Sequence, residues 1–407
     1  MSNKVSANDM TVGDPAHGII KFAVPLILGY ILQQMYLIVD AAIVGRWIGV
    51  DALAAVGASA SVMFLVMGFC NGACAGFAIP ISRAFGAKDY KKMRAYVANS
   101  IRVSLVMIVV ITFFACAFCD KILRIVNTPR EIFDDAYTFL LLQFLAIPFT
   151  LTFNLFAGYI RALGNSRQPF LFLIISSFVN ILLDVLLILI LGMGVAGAGL
   201  ATLLSQLFAS ILSVWYVARH MTMLIPHGDE RAFDNKRVSI LLNNGIPMGL
   251  QVSITAIGII LLQSSNNALG TVYVASFTAA VRIKYLFICV FDNIGVAMAT
   301  YCGQNIGAGR LDRVRQGEWA AMKIMMVYFV FTALVIFPFA GNMMELFVNG
   351  SSQAVADNAA MLMRISCYFY PVLGLLAIFR YSIQGLGYSN LSMLSGVMEM
   401  IARSGVS

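Results

Sequence analysis

The sequence predicts an all-α polytopic membrane protein, built as two six-helix bundles in a parallel pseudo-repeat. Three observations support this fold class. Hydrophobic residues make up 60% of the 407 residues and charged residues only 11%, whereas a soluble domain carries about 25% charged residues. Many apolar segments are long enough to cross a bilayer, which takes about 20 helical residues. Three sequence blocks recur in the same order at an offset of about 222 residues.

Eleven apolar segments meet the length expected of a membrane helix. They lie at 19–46, 52–80, 95–118, 135–160, 168–192, 195–218, 238–268, 272–302, 319–340, 356–384 and 391–407. The end of the chain shortens the last segment, so we expect a twelve-helix fold that is truncated at the C-terminus and ends within helix 11. The polar stretch 219–237 is the predicted cytoplasmic linker between a six-helix N-terminal lobe, 1–218, and an incomplete C-terminal lobe, 238–407.

The repeated blocks define how the two lobes are related. FAVPLILGYILQQ (22–34) resembles NGIPMGLQVSITA (244–256), RAFGAKD (83–89) resembles QNIGAGR (304–310), and IPFTLTFNLFAGYIRALGNSR (147–167) resembles YPVLGLLAIFRYSIQGLGYSN (370–390). A unit with an even number of helices returns the chain to the same side of the membrane. The repeats are therefore parallel and related by an axis along the bilayer normal. Two such bundles enclose a central cleft.

The net charge of +8 is explained by membrane topology rather than by nucleic-acid binding. Basic residues concentrate in the loops after segments two, six and eight, and the turns after segments five and seven carry none. The positive-inside rule then places these loops and the N-terminus in the cytoplasm, for a multi-pass protein of the cell membrane. The sequence has no P-loop, nucleophile–base set or metal-ligand spacing. An enzyme is therefore not expected, and transport would be driven by an ion gradient or a partner.

Four oxygen-bearing side chains reach similar depth in the first lobe and form the candidate cation-coupling site: Asp40, Asn180, Asp184 and Thr202. Asn180 and Asp184 are four residues apart and share a helix face. An intramembrane carboxylate costs several kcal/mol, which favours a functional role. Two carboxylates, an amide and a hydroxyl suit a hard monovalent cation such as Na⁺, and without one the carboxylates favour sharing a proton. The alternative is that each aspartate pairs with a neighbouring donor and never titrates.

The second lobe offers no acidic counterpart to this site. The repeat places Leu262 opposite Asp40 and Ser407 opposite Asp184. We therefore expect the cation site in the first lobe only.

Two further features of the membrane segments leave alternatives open. Arg282 and Lys284 lie near Asp292 in segment eight; structural pairing with Asp292 is favoured over a watery cleft or an anionic part of a substrate. The stripe G-x-x-x-G-x-x-x-G at 68–76 lets helices approach closely. Static packing is favoured there over a sliding surface.

Several motifs resemble the multidrug and toxic compound extrusion (MATE) transporters. The opening TVGDPAHGIIKFAVPLILGYILQQMYLIVDAAIVGRWIGVDALAAVGAS is followed by GFAIPISRAFGAKD, RALGNSRQP, FVNILLDVLLIL and GVAGAGLATLLSQ, each in its expected order. The resemblance covers the whole chain. It implies a twelve-helix fold in two lobes that exports amphipathic, often cationic, compounds in exchange for Na⁺ or H⁺.

The resemblance also implies roles for individual residues. The family's N-lobe cation site matches Asp40, Asn180, Asp184 and Thr202, with Asn154 as a further polar member of that lobe. One branch of the family instead uses acidic residues in the C-lobe, beginning in helix seven. That helix reads GLQVSITAIGIILLQSSNNALG here and has no acid, which points to the N-lobe-coupled branch.

The leading functional prediction is a secondary antiporter that exports small amphipathic organic compounds (drugs, toxic metabolites) by alternating access. An oxygen-rich site with two carboxylates serves Na⁺ and H⁺ equally. The alternative is a lipid-linked saccharide flippase of the same superfamily, which needs several basic residues in its cleft. The expected supporting or cleft residues are Asn154, Gln34, Gln251, Arg282 and Lys284. We expect a monomer in the lipid bilayer, with a small-molecule substrate and no cofactor besides a bound Na⁺.

Overall fold

The computed structural model describes residues 9–267, 270–348 and 353–406, and these ranges are helical without a strand. The α-helices are α1 Pro15–Ile43, α2 Val50–Gly86, α3 Tyr90–Ala117, α4 Cys119–Ile125, α5 Phe133–Ala162, α6 Arg167–Asp184, α7 Gly194–His220, α8 Asn235–Asn267, α9 Thr271–Gly307, α10 Leu311–Val348, α11 Gln353–Tyr368, α12 Tyr370–Gly385 and α13 Ser389–Val406. Two π-helical segments, Val44–Ile48 and Val185–Ile190, continue α1 and α6.

The structure confirms the predicted all-α membrane fold. Every apolar segment of the sequence corresponds to a helix, and 9 helices of the described chain are long and apolar enough to span a membrane. Segment ten is the exception in shape, because it consists of α11 and α12 with a bend of 53° between them. Pro371 lies in the first turn of α12 and has no N–H to bond the carbonyl of Cys367, so one helical hydrogen bond is missing where the chain bends.

Acidic N-caps fix where two of the long helices begin. The Asp14 carboxylate accepts the backbone N–H of His17 at 2.8 Å and precedes Pro15, the first residue of α1. The Asp89 carboxylate accepts the N–H of Lys92 at 3.0 Å at the start of α3. Such a cap stabilises a helix by about 1 kcal/mol. The α1 cap matters most, since α1 carries the first predicted site residue.

Two hydrophobic clusters define the two lobes. One cluster joins α2, α3, α5 and α7, and the other joins α9, α10, α11 and α12. The beginnings of α1 and α8 are exchanged between them: Ile19 and Phe22 of α1 are buried in the second cluster, and Leu241 of α8 in the first. Farther along, α1 packs on α6 of the first lobe. The lobe boundaries 1–218 and 238–407 stay a prediction. The first turns of α1 and α8 each pack in the cluster of the opposite lobe.

A seam of glycines joins the lobes. The predicted stripe of α2 packs on α8: a Cβ added to Gly72 would lie 2.5 Å from the Met248 carbonyl oxygen, and one added to Gly76 would lie 2.6 Å from the Asn244 carbonyl oxygen. Since ordinary contacts of a Cβ are 3.4–4 Å, only glycine fits at these positions. The stripe thus packs closely on a helix of the opposite lobe, and the preference for static packing over a sliding surface stays a prediction.

The repeated Gly-Ala motif closes the same seam at its end. A Cβ on Gly86 of α2 would overlap the carbonyl oxygen of Gln304, and a Cβ on Gly307 of α9 would overlap that of Arg83. The Gln304 side chain also accepts the Met10 N–H at 2.9 Å and donates to the Ala162 carbonyl at 2.9 Å. These contacts lie on the side of the membrane that carries the basic loops after α2, α7 and α9, here called the basic side. The lobes are thus held together on the basic side.

The polar stretch between the lobes is folded against α3. Arg94 makes two hydrogen bonds of 2.7 Å to the Glu230 carboxylate, which also accepts the His227 N–H at 2.9 Å. The Arg94 side chain, followed by the His227 N–H, lowers the pKa of Glu230 from 4.5 to about 2. Asn99 of α3 accepts the Asp234 N–H at 3.1 Å. The connection is therefore a fixed part of the basic side.

Candidate functional site

Two aspartates from separate helices meet in the first lobe. Asp40 of α1 and Asp184 at the end of α6 have their carboxyl groups within hydrogen-bonding distance of each other. Asp40 is 8% exposed and Asp184 0%. Residues 144 positions apart in the chain therefore form one buried acidic pair, as the similar depths in the sequence predicted.

The other two predicted site residues lie beside this pair. With its amide nitrogen toward the pair, Asn180 donates to Asp184 Oδ2 at 2.9 Å, and its oxygen accepts the backbone N–H of Thr202 at 3.2 Å. The Thr202 hydroxyl donates to the Ala198 carbonyl at 3.1 Å. All four predicted residues are thus brought together at one place.

Two residues of this cluster were missed from the sequence. The Tyr36 hydroxyl lies within hydrogen-bonding distance of Thr202 and close to both carboxylates. Ser205 is 3% exposed and donates to the Thr202 carbonyl at 2.9 Å. Helix spacing was the available signal, because Tyr36 is four residues before Asp40 and Ser205 three after Thr202.

The carboxylate pair has acceptor oxygens that the protein leaves unsatisfied. Asp40 Oδ1 and Asp184 Oδ1 are both buried, and neither accepts a hydrogen bond from any residue in the described ranges. A buried polar atom without a partner costs free energy and calls for an explanation. Together with the Thr202 hydroxyl, these carboxylate oxygens match the ligand preference of a hard cation, and they fit a shared proton as well. The residues present therefore suit Na⁺ or H⁺.

Both aspartates stand next to a change of helix type. Asp40 lies one turn before the π-helix Val44–Ile48, and Asp184 directly precedes the π-helix Val185–Ile190. A π-helical turn inserts a residue into the α-helical register and is frequent at functional sites. It turns the following residues relative to the aspartate, and both buried side chains (Leu187, Ile188) and exposed ones (Leu186, Ile190) follow Asp184. The sequence pattern gave no sign of this change.

A cavity of about 570 Å³ opens beside the pair. Asp40, Thr202 and Asn154 line it, whereas Gln34 does not and its neighbour Gln33 does. Its apolar lining includes Met63, Phe64, Met67, Phe153 and Phe170. A cavity of this size with an apolar wall and a few polar groups is typical of small-molecule sites.

The remaining predicted cleft residues belong to the second lobe and do not line this cavity. Gln251 is 7% exposed and accepts from Gln384 at 2.9 Å and from Ser392 at 2.7 Å, so its side-chain oxygen is engaged within that lobe. The favoured pairing of Arg282 and Lys284 with Asp292 is absent: in the described part of the chain neither basic side chain forms an ion pair. An ion pair of the same lobe joins Arg380 to Glu399 at 2.8 Å. Helix register separates Arg282 from Asp292, since ten residues amount to nearly three turns.

Comparison with known proteins identifies the family. The family described as MatE matches residues 25–186 and again 247–404. The chain belongs to the MATE family. The two matched blocks begin at Pro25 and Pro247, the prolines aligned in the internal repeat, so one family pattern occurs in each lobe. This result agrees with the parallel pseudo-repeat.

Individual MATE relatives extend over most of the chain. "Probable multidrug resistance protein YpnP" of Bacillus subtilis (strain 168) is 30% identical over 91% of this chain and 82% of its own length. "Multidrug export protein MepA" of Staphylococcus aureus (strain bovine RF122 / ET3-1) is 22% identical over 93% of this chain and 84% of its own. A solved structure described as an outward-facing conformation of a multidrug resistance MATE family transporter superposes with a TM-score of 0.90 at 23% identity, covering 97% of this chain and 88% of that one. The chain is accordingly a multi-pass membrane protein of a transporter family.

Proposed function

We propose that this MATE protein is a secondary antiporter that exports small amphipathic organic compounds in exchange for Na⁺ or H⁺. The single observation that carries the proposal is the buried Asp40–Asp184 pair, whose unsatisfied oxygens stand at the edge of an apolar cavity. The names of the similar proteins, a probable multidrug resistance protein in Bacillus and a multidrug export protein in Staphylococcus, support the substrate class.

The carboxylate pair supplies a physical basis for coupling. Two unit charges 4 Å apart repel by about 4 kcal/mol at an effective dielectric constant near 20. A proton or a Na⁺ between Asp40 and Asp184 removes this repulsion. Because α1 and α6 each carry one member of the pair and also line the cavity, loading the cation draws two cavity walls together and releasing it lets them separate. The shape of the substrate cavity thus depends on the ion.

With its seam closed on the basic side, the protein is in one of the two access states of the transport cycle. With the lobes joined at Gly72, Gly76 and Gly86, a compound reaches the cavity only from the opposite side. If the basic side is cytoplasmic, as the positive-inside rule predicts, this arrangement releases substrate outward and loads the driving ion. Export then requires the seam to open. We place the protein in the cell membrane with its N-terminus in the cytoplasm, acting as a monomer.

The flippase alternative is less well supported by the lining of the cavity. Arg161 is the one basic side chain among the described residues that line the cavity next to the pair. A pyrophosphate-linked lipid carries several negative charges and would be expected to meet a cluster of basic groups. A compound with at most one acidic group fits this lining better.

Ion-driven exchange in liposomes tests the proposal. The chain is reconstituted, a Na⁺ or H⁺ gradient is imposed, and uptake of a fluorescent amphipathic dye is followed. Asp184→Asn should abolish gradient-driven exchange, because an amide neither takes up a proton nor bears the charge that holds Na⁺. Asp292→Asn is the matched control, since Asp292 is an intramembrane carboxylate outside the pair, and it should retain exchange. Gradient-driven exchange by Asp184→Asn at the wild-type rate would refute the coupling assignment.

A further inference from the structure

Arg161 occupies a junction between two cavities. It lies near the end of α5 and lines both the 570 Å³ cavity and a second cavity of about 240 Å³ between the lobes. Leu26 of α1 and Asn293 of α9 line both cavities as well. The guanidinium is therefore placed where a compound in the larger cavity would first meet the opposite lobe.

Among the described residues, no counter-charge faces Arg161. Within residues 9–267, 270–348 and 353–406 its side chain makes no hydrogen bond and no ion pair, and Cys74 is the one ionisable group that acts on it. The Asp40–Asp184 pair is remote, since Asp40 lies roughly 20 Å along α1 from Leu26 at 1.5 Å per residue. A half-buried guanidinium without a counter-charge, in the wall of a cavity, is available to an anionic group of a bound molecule.

The second lobe supplies further donors at the same place. Thr300 of α9 and Tyr381 of α12 line the smaller cavity together with Arg161. Over the part of the chain that is described, neither hydroxyl is engaged in a hydrogen bond. A planar guanidinium and two free hydroxyls form a donor-rich site, and a guanidinium binds carboxylate or phosphate oxygens with two parallel hydrogen bonds. Lining residues such as Met67 and Phe153 would contact the apolar body of the same molecule.

We propose that Arg161, Thr300 and Tyr381 form a subsite for the anionic group, carboxylate or phosphate, of the exported compound. This inference rests on the proposed function and names its substrate class: amphipathic compounds with an acidic group, including zwitterions. The subsite draws one donor from the first lobe and two from the second. It is complete only while the seam holds the lobes together.

A matched pair of dyes tests the subsite directly. Rhodamine 110 carries a free carboxylate, and rhodamine 123 is its methyl ester and lacks that charge. Binding of each to the purified full chain in phosphatidylcholine nanodiscs is measured by fluorescence anisotropy without any ion gradient. Arg161→Gln should weaken binding of the acid about tenfold or more, the loss expected when a charged hydrogen-bond partner is removed, and leave the ester unchanged. Arg161→Lys should retain part of the preference for the acid.

Arg167→Gln is the matched control, because it removes an exposed guanidinium six residues away; it should alter neither dye. Equal weakening of both dyes by Arg161→Gln, or an unchanged ratio, would overturn the subsite and leave the antiport proposal intact. Failure of the wild type to bind either dye would overturn both. A parallel series with phosphatidylglycerol in the nanodisc tests the other source of the same chemistry. Loss of the wild type's preference for the acid there would assign Arg161 to lipid headgroups and refute a substrate role.

Discussion

Gly76→Ala is expected to open the seam between the lobes. The added methyl carbon would stand 2.6 Å from both the Asn244 carbonyl oxygen and the Gly245 Cα, about 1 Å inside an ordinary contact. Both atoms belong to backbone, so neither can rotate away and α2 and α8 must separate. Overpacking of this kind costs about 1–3 kcal/mol, which corresponds to about 5- to 150-fold in the equilibrium between the joined and separated lobes. The joined state should lose population by that factor.

Gly57→Ala on the same helix is the matched control, because a Cβ there meets nothing within 4 Å. It carries the same gain in helix propensity, about 1 kcal/mol, without the contact. Spin labels are attached at the exposed positions Lys91 and Gln316. Double electron–electron resonance then measures the distance between the labels, which reports the separation of the two lobes on the basic side. Gly76→Ala should move the distance distribution to longer values and Gly57→Ala should not. Coincident distributions for Gly76→Ala and the wild type would refute the seam as the contact that holds the lobes.

Two further predictions concern residues outside the carboxylate pair. Gln251→Ala should leave the ion dependence of dye exchange unchanged, because its contacts lie within the second lobe; altered ion dependence in liposomes would move the coupling site there. Glu230→Gln should speed tryptic cleavage after Arg231, whereas the exposed neighbour change Asp229→Asn should not. Because the folded pKa of Glu230 is about 2 against 4.5 ordinarily, its contribution is present above about pH 4.5 and is lost only as the pH falls through about 2. The ratio of the Glu230→Gln cleavage rate to the wild-type rate, which cancels the pH dependence of trypsin itself, should therefore be the same at about pH 6 and about pH 8, and a marked change in that ratio would contradict the ion pair.

Hydropathy was sufficient to predict the helices, because each span must satisfy its own backbone hydrogen bonds in lipid and is therefore apolar along its length. The internal repeat likewise gave the parallel relation of the lobes. Neither signal reports which helix a face will meet. The glycine stripe at 68–76 predicts a close approach of two helices. It does not indicate that the partner is α8 of the other lobe. The repeat also gives no sign of the bend before Pro371, because the aligned Pro148 lies inside the unbroken α5.

The candidate site was predicted from depth and from the resemblance together. Depth placed Asp40 and Asp184 at one level, and the structure brings them into contact. Tyr36 was overlooked because a tyrosine in an apolar run looks like packing, although its spacing from Asp40 was readable. The motif RALGNSRQP does not distinguish Arg161 from any other basic residue, because the absence of a counter-charge among the described residues is visible only in three dimensions. The sequence predicts Gln34 in the cleft, whereas Gln33 lines the cavity; a shift of one residue turns a side chain by about 100° around the helix.

Direct measurement of cation binding tests the central claim, that the Asp40–Asp184 pair holds the driving ion. Purified protein in nanodiscs is titrated with radioactive ²²Na⁺, and proton uptake or release is followed in parallel in weakly buffered solution. The wild type should bind Na⁺ or exchange a proton, and Asp184→Asn should do neither while still binding dye. Undiminished cation binding by Asp184→Asn would contradict the account.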